Sequence, residues 1–146
     1  MEAGTIGDTL DHALFLAEHL HRCDLQYMAL AVLFELRVPR NYDGFDYLKN
    51  AILLYHDNPV QKLSKELYPA IGKMYEQRPG KLQVEQAIRS AINAAWKDRN
   101  EKVWRIYFQA DGDGRLKKPS NAEFIADIAL FLKLWQGCCQ EVSYEK

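Results

Sequence analysis

The sequence predicts an all-α fold, and three features support that prediction. Apolar residues recur at helical spacing through nearly the whole chain, whereas alternating strand-like patterns are almost absent. The length of 146 residues suits a single domain. The composition, 48% apolar and 27% charged, is that of a chain with one buried core, which excludes wholesale disorder and fibrous repeats.

Two helices are predicted to follow one another closely at the N-terminus. Residues 9–22 form the first, behind Asp8 or Thr9 as a cap, and its narrow apolar seam predicts docking on the domain or pairing with a second copy. The seam consists of Leu10, Ala13, Leu14, Ala17 and Leu20. Residues 25–37 form the second helix, capped by Asp24 and ended before Pro39. Its apolar stripe consists of Leu25, Met28, Ala29, Val32, Leu33 and Leu36.

A third helix is predicted over residues 44–56 and a fourth over residues 60–76. The third directs Tyr47, Leu48, Ala51, Ile52 and Tyr55 inward. The fourth directs Val60, Leu63, Leu67, Ile71 and Met74 inward. Pro69 lies inside this second pattern, so either the helix kinks there or its boundary differs.

The most regular apolar pattern belongs to a helix over residues 82–97, which follows the turn Gln77-Arg78-Pro79-Gly80. Its inward residues are Val84, Ala87, Ile88, Ala91, Ile92, Ala95 and Trp96. Its opposite face carries polar side chains with hydrogen-bonding ends, which suit contact with DNA bases. We assign that role to Glu85, Gln86, Arg89, Ser90 and Asn93.

Two more helices complete the predicted fold. A short one covers residues 101–108, and a glycine-rich, basic loop over residues 109–119 follows it. The last helix begins with a capping box of Ser120 and Glu123 and is expected to end at Gly137, leaving residues 138–146 as a tail. Its core residues are Phe124, Ile125, Ile128, Ala129, Leu132 and Trp135.

The charge is distributed unevenly along the chain. The net charge is only −1, yet residues 60–120 carry thirteen Lys or Arg against seven acids, while both flanks are acidic. Such a basic middle attracts a phosphate backbone, although a solvated helical face gives similar counts. The predicted phosphate contacts are Lys62, Lys65, Arg78, Lys81, Lys97, Lys117 and Lys118.

No metal, cofactor or catalytic site is predicted. Asp111-Gly-Asp113-Gly114 opens like a calcium loop but lacks the later ligands, so we expect a turn. His19, His21 and Cys23 have a spacing that points to different sides of a helix. No nucleophile lies beside a base, which argues against an enzyme.

The chain is expected to be cytoplasmic. No apolar run reaches the roughly 18 residues that a membrane-spanning helix needs, and the first eight residues do not resemble a signal peptide. Cys23, Cys138 and Cys139 are odd in number and two are adjacent, so we expect plain thiols in a reducing compartment.

The succession of helices 60–76 and 82–97 across a short turn is the layout of a helix-turn-helix, whose second helix enters the major groove. Glu85 can accept a hydrogen bond from cytosine, Gln86 can pair with adenine and Arg89 can pair with guanine. We therefore predict a DNA-binding protein. The alternative is a protein-interaction or dimerisation module that has kept this fold without specific DNA binding.

The sequence resembles the C-terminal DNA-binding effector domain of the stage-zero sporulation protein A family. The resemblance covers about residues 25–136 and is carried by VPRNYDGFDYLKNAI, LSKELYPAIGKMY, QVEQAIRSAINAAW and KPSNAEFIADIALFLKL. It implies a six-helix helix-turn-helix domain over residues 24–137, preceded by one additional helix within residues 1–23. It also implies a sporulation transcription regulator that binds double-stranded DNA, with RNA polymerase and a second copy as possible partners.

This chain departs from the family at two base-facing positions. The family's V-E-R-A-I-R-H-A-I reads here as VEQAIRSAI from Val84, so Gln86 stands where arginine is usual and Ser90 where histidine is usual. The 24 residues before the resemblance are too few for the family's phosphorylated receiver domain, which needs about 120 residues. We therefore expect either an excised piece or a receiver-less relative.

Overall fold

The fold is described by a computed structural model for residues 6–19 and 24–144, with side chains for residues 7–19 and 24–140. Within those ranges the chain is helical and contains no strand, which confirms the all-α prediction. The helices are α1 (Ile6–His19), α2 (Leu25–Glu35), α3 (Asp43–Asp57), α4 (Tyr68–Gly72), α5 (Lys81–Lys97), α6 (Glu101–Tyr107) and α7 (Asn121–Tyr144). Across the described residues no helix is long and apolar enough to span a bilayer.

The core is centred on α3, which packs against α2, α5 and α7. The inward residues predicted for the last helix are all buried, and its capping box forms: the Ser120 amide donates to Glu123 Oε1 at 3.1 Å and the Glu123 amide to Ser120 Oγ at 3.1 Å. The predicted Asp24 cap also forms, since its Oδ1 accepts from the Tyr27 amide at 3.1 Å. These local signals placed the helix starts correctly.

Two glycines allow backbones to approach closely around α5. A Cβ at Gly44, in the first turn of α3, would lie 2.1 Å from the carbonyl oxygen of Ala87. A Cβ at Gly72, the last residue of α4, would lie 2.2 Å from the carbonyl oxygen of Pro79. Any larger residue would force α3 or the turn before α5 outward.

The predicted fourth helix, residues 60–76, is wrong at both ends. Val60 is 83% exposed outside any helix, and Met74 lies beyond the end of α4 and is 51% exposed. The segment instead forms a π-helical turn, Leu63–Leu67, that leads into α4. In this turn the Leu67 amide donates to the Lys62 carbonyl at 3.1 Å, and Pro69 follows in the first turn of α4, where a missing amide proton costs little.

The last helix is longer than predicted. It continues through the exposed Gly137 to Tyr144, and Cys138 and Cys139 are buried instead of lying in a tail. A glycine inside a helix costs about 1 kcal/mol, which burial of the residues after it can outweigh.

The expectation of three plain thiols is also wrong. Cys139 is disulfide-bonded. Besides Cys138 and Cys139, the sequence contains one further cysteine, Cys23, which lies outside the described residues.

The additional helix α1 docks on its own domain, chiefly on α7 and also on α6. Ala13, Leu16 and Ala17 are buried, whereas Leu10 is 40% exposed. The predicted seam was therefore wrong at Leu10 and omitted Leu16, because a short helix with leucines on several sides does not fix which side packs. Leu20 lies outside the described residues.

Polar contacts hold α1 in place as well. Thr9 Oγ1 donates to the Ile106 carbonyl at 2.6 Å, and His12 Nε2 lies 2.9 Å from Glu35 Oε1. The Tyr107 hydroxyl donates to Glu35 Oε2 at 2.6 Å. Burial opposes ionisation of Glu35, but these hydrogen bonds and the charge of His12 outweigh it and lower the pKa of the carboxyl.

Candidate nucleic-acid interface

Packing of the inner face of α5 sets the orientation of its polar face. The inward residues Val84, Ile88, Ala91, Ile92 and Ala95 are buried, and α5 packs chiefly against α3. Because residues on opposite sides of a helix point in opposite directions, the predicted base-contacting residues face outward. Gln86, Arg89 and Ser90 are exposed, and Glu85 and Asn93 are partly exposed.

Three of these residues form a connected row along α5, spaced four residues apart. Arg89 Nη2 lies 2.7 Å from Glu85 Oε1. At the other end of the row, Asn93 Oδ1 accepts a hydrogen bond from Lys118 Nζ at 2.7 Å. We call Glu85, Arg89 and Asn93 the connected row, because each of these side chains makes a polar contact within the molecule.

A second row runs beside it, also at four-residue spacing. We call Leu82, Gln86 and Ser90 the open row, because all three side chains are exposed. Leu82, in the first turn of α5, is 63% exposed. The outward face of α5 therefore combines a row held by intramolecular contacts with a row presented to solvent.

The N-terminus of α7 braces α5 through Asn121. Its Nδ2 donates to the Glu85 carbonyl at 3.1 Å and lies 3.3 Å from the Tyr68 hydroxyl. Burial raises the pKa of that hydroxyl. Asn121 was not among the predicted site residues, because a polar residue directly after a helix cap is common and its partners are distant in the chain.

A cleft of about 390 Å³ lies between the π-helical turn, α5 and the start of α7. Polar side chains along it include Ser64, Tyr68, Arg89, Asn93, Lys118 and Asn121. The cleft thus joins the connected row of α5 to the basic loop before α7.

All seven predicted phosphate-contacting side chains are exposed. Among the described residues none of them lies within ion-pair distance of a carboxylate, whereas Arg37, Lys49, Arg89, Arg99 and Arg105 do. Lys118 is brought directly to α5 by Asn93. Lys81 and Lys97 lie at opposite ends of α5, about 24 Å apart along its axis.

Arg78 adopts a backbone conformation that is rare for arginine. Its φ is 45°, in the left-handed region, at the turn that leads into α5. That turn covers residues 73–80 and is longer than the four-residue turn predicted.

The acidic segment before α7 forms the predicted turn. Asp111 Oδ1 accepts from the amides of Asp113 and Arg115, both at 3.0 Å, and Gly114 has a φ of 78°. These bonds engage Oδ1 of Asp111 within the turn. Of the other candidate ligands, His21 and Cys23 lie outside the described residues.

A family model described as the C terminal of sporulation initiation factor Spo0A matches residues 29–132. The chain belongs to this family. It is a family of DNA-binding regulatory domains and not of enzymes, which confirms the resemblance seen in the sequence. The match begins within α2 and ends within α7, so it contains the whole helix-turn-helix and leaves α1 outside.

Proposed function

We propose that the chain is a sequence-specific DNA-binding transcription regulator and that α5 enters the major groove. The observation that carries this proposal is the outward face of α5, where exposed base-complementary side chains lie between exposed cations at both ends of the helix. In a helix-turn-helix, that face is the one that meets base edges.

In this proposal different polar residues of α5 contact different bases. Arg89 donates to guanine, Glu85 accepts from cytosine and Gln86 pairs with adenine. Ser90 and Asn93 contribute further hydrogen bonds. The Glu85–Arg89 pair supports this role, since it limits the conformations that Arg89 must give up on binding.

The exposed lysines and Arg78 would contact phosphates and set the position of α5. Lys62 directly precedes the π-helical turn and Lys65 lies within it. Lys81 and Lys97 are the first and last residues of α5, and Lys117 and Lys118 precede α7. From the family alone we also propose cytoplasmic action, with RNA polymerase and a second copy of the chain as partners.

The test is selection from a pool of random DNA duplexes, followed by titration of the selected duplex with salt. We expect a preferred site and a fall of about 0.9 in log affinity per unit of log salt for each phosphate contacted. A Lys117→Ala, Lys118→Ala double variant should reduce this slope by about two. Lys133→Ala, an exposed lysine of α7, serves as the control and should leave the slope unchanged.

Failure to bind any duplex at low salt would contradict the proposal. It would favour the alternative that the chain is a protein-interaction or dimerisation module that has kept this fold without specific DNA binding. Binding without preference among duplexes would contradict the sequence specificity and the base contacts of α5, while DNA binding itself would stand.

A further inference from the structure

Leu82 is an apolar residue on a face otherwise formed by polar side chains. It is the second residue of α5, it is 63% exposed, and it heads the open row before Gln86 and Ser90. The core begins two residues later, with the fully buried Val84.

Single exposed leucines are common on protein surfaces, so exposure alone assigns no role. The position of Leu82 in the fold, however, does indicate a role. In the helix-turn-helix geometry, the N-terminal residues of the second helix contact base edges, and Leu82 lies in the first turn of that helix.

We propose that Leu82 recognises the C5-methyl group of a thymine, an inference that rests on the proposed function of α5. On the base edges of the major groove this methyl is the largest apolar group, since the rest carry hydrogen-bonding groups or only a C–H at that position. A leucine offers no hydrogen bond, so its burial against any other base edge would leave a polar group unsatisfied.

The neighbouring residue supports an assignment to A·T pairs. Gln86 follows Leu82 by four residues on the same row, and a rise of 1.5 Å per residue separates them by about 6 Å along the helix. That distance corresponds to about two base-pair steps. Leu82 and Gln86 together therefore predict thymine and adenine within about two steps of each other, beside the guanine assigned to Arg89.

The test uses the full chain and the duplex selected from the random pool. Each thymine in the site is replaced singly by deoxyuridine, which removes the methyl and keeps the base pair. Loss of one buried methyl should weaken binding about fourfold at one or two positions. Deoxyuridine outside the site should have no effect.

Protein variants then identify the residue responsible. Leu82→Ala should bind the thymine and deoxyuridine duplexes equally, whereas Leu82→Met should still distinguish them. Leu130→Ala removes a similarly exposed leucine, 67% exposed on α7, and should behave like the parent. Melting temperatures confirm that each variant folds.

Two results would overturn the inference while the proposed function stands: specific binding that no deoxyuridine substitution weakens, or a deoxyuridine effect that persists in Leu82→Ala. Absence of binding to every duplex would instead refute the proposed function, and the inference with it.

Discussion

Arg89 and Arg78 are held in place at the candidate interface in two different ways. Arg89 is held by Glu85 at 2.7 Å on the outward face of α5. Arg78 is held by a strained backbone, at a φ of 45°, in the turn before α5. In the proposed function the first arrangement serves specificity, whereas the second costs stability and fixes the position of a charge.

Replacement of Arg89 by alanine should weaken binding to the selected duplex by about 1 to 3 kcal/mol, because a bidentate contact to guanine is lost. Random duplexes should lose much less affinity. Lys97→Ala, at the end of α5, is the matched control and should weaken both classes of duplex equally. Equal losses for Arg89→Ala, measured by fluorescence anisotropy, would make Arg89 a phosphate contact.

Replacement of Arg78 by glycine should raise the free energy of unfolding by about 0.5 to 1 kcal/mol, because glycine adopts positive φ without a Cβ clash. The same change should weaken DNA binding through loss of one charge. Arg78→Lys keeps both the charge and the strain, so its urea denaturation midpoint should match the parent. A glycine variant less stable than the parent would show that the arginine side chain stabilises the turn.

At the scale of helices, close contact between α3 and α5 depends on Gly44. Gly44→Ala should lower the free energy of unfolding by about 1 to 3 kcal/mol, since the new Cβ would overlap the Ala87 carbonyl. Gly137→Ala is the matched control, because nothing lies within 4 Å of a Cβ there and it lies inside α7. It should raise stability by about 0.5 to 1 kcal/mol in the same denaturation experiment. Similar effects of both changes would contradict the close approach of α3 to α5.

Docking of α1 predicts the result of its removal. A variant that starts at Asp24 should keep the oligomeric state of the full chain in light scattering but melt at a lower temperature, because the surface under Ala13, Leu16 and Ala17 is exposed. A dimer that becomes a monomer on deletion would show instead that α1 pairs with a second copy.

At the scale of the whole molecule, stability should depend on pH through Asp127. The pKa of this α7 carboxyl is raised to about 6, chiefly by burial and to a smaller extent by the negative charge of Glu123. The unfolded value is 3.8, so the folded protein binds the proton more tightly. This contribution is therefore fully present below about pH 4 and is lost as the pH rises through about 6.

Asp127→Asn should consequently stabilise the protein at pH 7.5 and change little at pH 4. The expected gain at pH 7.5 is about 1 kcal/mol, reduced from the full shift because solvent screens a half-buried group. Urea denaturation at both pH values measures it, with Asp113→Asn in the exposed turn as the control. An equal gain at both pH values would show that the asparagine acts through packing and not through charge.

The sequence by itself determined the helical class, the starts of α2 and α7, and the inward faces of α2, α5 and α7. Each of these depends on residues that are near one another in the chain: Asp24 caps the amide of Tyr27, and Ser120 and Glu123 cap each other. The outward direction of Glu85 and Arg89 follows from the same periodicity.

Tertiary packing decided the rest. Burial of Cys138 and Cys139 extended α7 past a glycine that locally favours an end, and the surface of α7 and α6 selected Leu16 over Leu10 as the inward residue of α1. The contacts of Lys118 with Asn93 and of Asn121 with Glu85 join residues 25 and 36 positions apart. No local pattern encodes such contacts, because their energies exist only once distant helices have packed together.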